Sequence, residues 1–68
     1  MKDYANLSGN SGVMQYDAED EYVIVMFTSG NFIGYNYDDY GKQTVDKIKE
    51  LAEQGFGLNR FLNTLKQI

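Results

Sequence analysis

The residues of this 68-residue chain best suited to hold a ligand are Gly55-Phe56-Gly57-Leu58-Asn59-Arg60. Two glycines permit a sharp backbone turn, and the apolar spacing predicts a helix that begins at about Leu58. The first turn of a helix presents N–H groups that lack intrahelical partners, together with a partial positive charge. Such a terminus suits an anion, the more so where glycine lets a ligand approach the backbone. Asn59 adds an amide, and Arg60 adds a fork able to grip phosphate or carboxylate. Lys42, Lys47 or Lys49 would reach in from the preceding helix or from another subunit. The expected ligand site is therefore Gly57, Leu58, Asn59 and Arg60 with Lys42 and Lys49. The bland alternative is a plain helix–turn–helix joint, with Asn59 as a cap and Arg60 on the surface. A DNA-reading helix is discounted, because the second helix carries only Arg60 and Lys66 as cations.

Tyr35-Asn36-Tyr37 is the second chemical signal. Residues two apart in a strand point the same way, so Tyr35 and Tyr37 would place two rings on one sheet face. Exposed rings on a sheet stack nucleobases in several RNA-binding folds. Tyrosine is also enriched at protein interfaces, and few cations surround these rings, which favours a packed or interface role.

Catalysis has little to work with. The chain has no His, and its composition includes no Cys. The hydroxyls Ser8, Ser11, Thr28, Ser29, Thr44 and Thr64 have no imidazole to activate them. Asp17, Glu19, Asp20 and Glu21 pair carboxylates, but in a polar turn with no evident cleft. A calcium loop starting at Asp17 would need Gly and Glu where Tyr22 and Thr28 stand. No enzyme activity, cofactor or metal is expected.

The net charge is −4, from six basic and ten acidic residues, and it is uneven. Residues 1–39 set Lys2 against Asp3, Asp17, Glu19, Asp20, Glu21, Asp38 and Asp39. Residues 40–68 are mildly basic. The acidic total argues against general nucleic-acid binding, which rests on phosphate neutralisation. No apolar run approaches the ~20 residues of a membrane span. Met1-Lys2-Asp3 leads into polar residues rather than a signal segment, so a cytoplasmic location is expected.

The elements that must position these groups follow from pattern. Residues 1–12, rich in Asn, Ser and Gly, read as a flexible arm, with Tyr4 and Leu7 able to anchor it to a neighbouring surface. Residues 13–68 read as a single α+β domain. Val13 to Asp17, Tyr22 to Phe27 and Asn31 to Tyr37 are strand candidates, the second being the strongest. A two-residue turn at Ser29-Gly30 would pair Phe27 with Phe32, Val25 with Gly34 and Val23 with Asn36. The opposite face would then carry Met26 with Ile33, Ile24 with Tyr35, and Tyr22 with Tyr37. Asp38-Asp39 offers a helix N-cap. A helix from Tyr40 to Gln54 places Val45, Ile48, Leu51 and Ala52 on one face, with Gly55 as its C-cap. A second helix carries Leu58, Phe61, Leu62 and Leu65. The expected fold is a three-stranded antiparallel meander followed by two α-helices packed on one face.

Tyr16-Asp17 after a short strand, a strand ending in Phe27, the Gly30 turn, Tyr35-x-Tyr37 and Gly55-x-x-x-Asn59 together resemble the KTSC domain over roughly residues 11–63. That family is a domain of similar length, found alone in bacterial and phage proteins and at the C-terminus of some lysyl-tRNA synthetases. The resemblance implies the α+β fold above and suggests RNA binding.

A domain of this size buries only about 60% of the surface its unfolded chain exposes. Without disulfides or a metal, self-association is the remaining support, so a homo-oligomer is expected. The leading functional expectation is a non-enzymatic, homo-oligomeric binder of a small anionic ligand such as a nucleotide. The alternatives are an RNA- or single-strand-binding module using the tyrosines, and a protein–protein interaction module acting through the acidic strand half.

Overall fold

The structure is a computed structural model, and it describes residues 1–7, 9 and 12–65. Ser8, Ser11 and Lys66, named above, lie outside the described residues. The class is α+β as expected, with four strands and three helices among the described residues where three and two were expected. The strands are β1 (Lys2–Asp3), β2 (Val13–Ala18), β3 (Tyr22–Phe27) and β4 (Phe32–Asn36), and the helices are α1 (Tyr37–Tyr40), α2 (Lys42–Gln54) and α3 (Leu58–Leu65). The sheet is antiparallel in the order β1-β2-β3-β4. α2 lies against β3 and β4, and α3 packs on α2.

The added strand comes from the segment read as an arm. Lys2 pairs with Tyr16 and Asp3 with Gln15. Tyr4 follows into the core at 6% exposure, and its N–H donates to Met14 O at 3.0 Å. Two residues of mixed charge carry no strand pattern, so only the tyrosine gave warning.

The hairpin register is one residue off the expected one. β3 and β4 pair Met26 with Phe32, Val25 with Ile33, Ile24 with Gly34, Val23 with Tyr35, and Tyr22 with Asn36. The turn uses three residues, not two. Gly30 N–H donates to Phe27 O at 2.8 Å, and Phe27 N–H to Asn31 O at 2.9 Å. Gly30 closes that turn at φ 93°, the left-handed position that favours glycine. A slip of one residue exchanges the faces of a strand. Tyr35 therefore faces inward, and the expected outer row of three tyrosines does not form.

A bulge adjusts the other pair. Val13 faces Phe27, whereas Gln15 faces Met26, which leaves Met14 as the extra residue. The bulge lets Val13 and Tyr16 both enter the core although they stand three apart.

The expected Tyr40–Gln54 helix is broken at Gly41, whose φ of 87° ends α1 before α2 begins. The N-cap is Asn36, not Asp38 or Asp39: its Oδ1 accepts from Asp39 N–H at 2.7 Å. Along α2, Val45, Ile48 and Ala52 are buried, with Leu51 partly buried beside them, as the periodicity predicts. Leu58 and Leu62 of α3 complete the core with Val13, Tyr16, Val23, Val25 and Tyr35.

Candidate functional site

The glycine joint between α2 and α3 is a seat for the chain's own N-terminal segment. Gly55 caps α2 in the left-handed region at φ 75°, its N–H donating to Leu51 O. Its Cα lies so near Ala5 that a Cβ there would meet the Ala5 Cβ at 2.5 Å. Leu7 N–H donates to Gly55 O at 2.7 Å. The Leu58 N–H, among the amides expected to face an anion, donates instead to the buried Tyr4 hydroxyl at 3.3 Å. Leu58 itself is fully buried. The Asn59 side chain approaches Gly12, with its amide group 3.7 Å from where a Gly12 Cβ would stand. Arg60 is exposed, and no ion pair among the described residues holds it.

Lys42 and Lys49 do not converge on this joint. Lys42 begins α2, and at 1.5 Å per residue it stands about 18 Å along the axis from Gln54. Both lysines turn to Tyr37. Lys49 Nζ lies 5.4 Å and Lys42 Nζ 6.0 Å from its ring centre. Lys49 also donates to the Asp20 carbonyl at 3.0 Å, which ties α2 to the acidic β2–β3 turn. Asp46 receives Lys42 Nζ at 2.7 Å and the Tyr37 hydroxyl at 2.9 Å. These two donors hold the Asp46 carboxyl below the usual aspartate range. The hydrogen bond to Asp46 in turn raises Tyr37 and Lys42 above their ordinary values.

Tyr35 is buried at 3% exposure and packs edge-on against Tyr40, with ring centres 5.0 Å apart. Burial, then the neighbouring Tyr40, raises its pKa. A ring so enclosed offers no face to a base. The expected site residues thus fall into two groups: Gly57 to Arg60 at the joint, and Tyr35, Tyr37, Lys42 and Lys49 at the β4–α2 corner.

The uncovered face of the sheet keeps the expected Tyr22, Ile24 and Met26 row of β3 and takes Phe32, Gly34 and Asn36 from β4 in place of Ile33, Tyr35 and Tyr37. Tyr22, Ile24 and Met26 of β3 and Phe32 of β4 point away from the helices. Phe32 is 60% and Tyr22 41% exposed. Gly34, cross-strand from Ile24, leaves open space where a side chain would stand. On the β2 side Asp17 lies opposite Ile24, and Gln15 opposite Met26 donates to Asp3 at 2.9 Å. At one end a cleft of about 250 Å³ is lined by Glu21, Tyr22, Asn36, Tyr37 and Asp38. This face is an apolar row with a carboxylate border. Every residue of β3 is apolar or aromatic, so its sequence does not mark which row faces out, and the β4 residues that join each row depend on the true turn length.

Comparison with protein-family models, with curated proteins and with solved structures found no match. Among the described residues, no helix is long and apolar enough to cross a membrane.

Proposed function

We propose that this chain is a non-enzymatic protein-interaction module, and that the outer sheet face docks a partner segment with apolar and basic side chains. The observation that carries this reading is the uncovered row of Tyr22, Ile24, Met26 and Phe32 bounded by Asp17 and, at the cleft, by Glu21 and Asp38. Apolar rows rimmed by polar groups are where protein surfaces associate. The two carboxylates of the cleft suit a lysine or arginine anchor, and complementary charge raises both the association rate and the selectivity. The chain's chemistry agrees with binding rather than catalysis. It has no His or Cys, and no charged side chain is buried among the described residues.

The test is affinity capture on three immobilised chains: wild type, Ile24→Thr with Phe32→Ser, and Asp17→Asn with Glu21→Gln and Asp38→Asn. A partner of this face is retained by the wild type, weakened by salt, and lost from both variants. A partner held equally by all three would place binding elsewhere and end this reading.

A further inference from the structure

The sheet has two edges, and they are defended differently. β1 is two residues long and carries Lys2 and Asp3, a short charged edge that discourages added strands. β4 is five residues long, and from Asn31 to Tyr37 there is neither a charge nor a proline. In an antiparallel pair alternate residues bond to the neighbouring strand. Phe27 N–H bonds to Asn31 O, and Tyr37 N–H to Glu21 O, which fixes the alternation at both ends of β4. The N–H and C=O groups of Ile33 and Tyr35 therefore face β3, and those of Phe32, Gly34 and Asn36 face away from the sheet.

We propose that this edge pairs antiparallel with β4 of a second copy of the chain, across a two-fold axis at Gly34. In that register Gly34 meets Gly34 and Phe32 meets Asn36 of the second copy, and about four hydrogen bonds close, because the Asn36 C=O already serves α1 as its N-cap. Charge selects the same arrangement. Asp38-Asp39 follows β4 directly, and antiparallel pairing sets this acidic corner beside the uncharged Thr28–Asn31 turn of the other copy. A parallel pairing would stack the acidic corners of two chains that each carry −4. The pairing uses the edge of the sheet, not its face, and holds with or without the docking reading above. It joins the two outer faces into one surface.

An interface of this size is at the weak end for protein pairs, so association is measured by sedimentation velocity with chain concentrations up to about 1 mM. The wild type is expected to shift from monomer to dimer, with concentration-dependent exchange protection at the Phe32, Gly34 and Asn36 amides. Gly34 has an unremarkable φ and open space at its Cβ position, so a side chain fits there. Gly34→Lys and Gly34→Glu each place like charges across the axis and weaken self-association at least about tenfold. An equimolar mixture of the two restores it, which a folding defect would not do. Gly34→Pro, which removes an outward N–H and spares the β3 ladder, weakens association without a charge. A monomeric wild type across the range, a Gly34→Lys chain that dimerises like the wild type, or a mixture without recovery would each overturn the proposal.

Discussion

The two faces of the sheet are built from the same strands and differ in what lies over them. Val23 and Val25 are fully buried beneath α2, while Ile24 and Met26, their direct neighbours in β3, are only partly covered. The side chains are of one chemical kind, so apolar content alone does not say which row is core. Helix coverage decides it, and the turn length of the hairpin decides which β4 residues join each row. The inner row is committed to holding the fold, whereas the outer row stays partly open.

The inner face is sealed by α2, α3 and residues 4–7, and the sharpest break is at that seal. Gly55→Ala adds a Cβ against Ala5 at a left-handed φ, and should destabilise by about 3 kcal/mol. Gly57→Ala, at φ 82° with open space around it, should lose only about 1 kcal/mol. Urea unfolding of both chains measures the difference, and equal losses would mean that the Ala5 contact is not a constraint. Polarity then tests the faces directly. Val25→Thr buries a hydroxyl in the apolar core and should lose about 2 kcal/mol. Ile24→Thr on the outer face should lose about 1 kcal/mol or less, so its effect falls on partner capture and not on stability.

The smallest effect is expected at the corner where the faces meet, around Asp46. Its carboxyl lies below the usual aspartate range because Lys42 and Tyr37 donate to it. A depressed folded value means that its contribution is present above the unfolded pKa and fades as pH falls through the folded one. A carboxyl NMR titration should place the midpoint low, and Tyr37→Phe or Lys42→Ala should each move it up. Unchanged midpoints in both variants would show that these donors do not set it.

Periodicity made the helices legible. Val45, Ile48 and Ala52 repeat at helical spacing, and they are buried as that spacing requires. Gly55 was also legible as a cap, since a left-handed C-terminal glycine follows from local chemistry. What escaped were the features set by distant partners. Nothing in Lys2-Asp3 marks a strand until β2 is beside it. Nothing in Gly55 says that Ala5 will press against it. The hairpin register turned on whether the loop held two residues or three, and Ser29-Gly30 permits either. That choice moved Tyr35 from the expected Ile24 face to the Val23 face, in the core. The expected lysines do not join the glycine joint for a related reason. The glycine joint receives Tyr4 and Leu7, and the lysines meant to serve it lie along α2 beside Tyr37.

The bond from Leu58 to Tyr4 spans 54 positions of the chain. During synthesis the tyrosine emerges early, and its partner amide leaves the ribosome only after nearly the whole sheet and α2 have been made. Until then the Tyr4 hydroxyl lacks this partner. Contacts of such long range slow folding and lengthen the exposure of apolar surface. Closure of this domain is therefore a late event, timed by the arrival of α3.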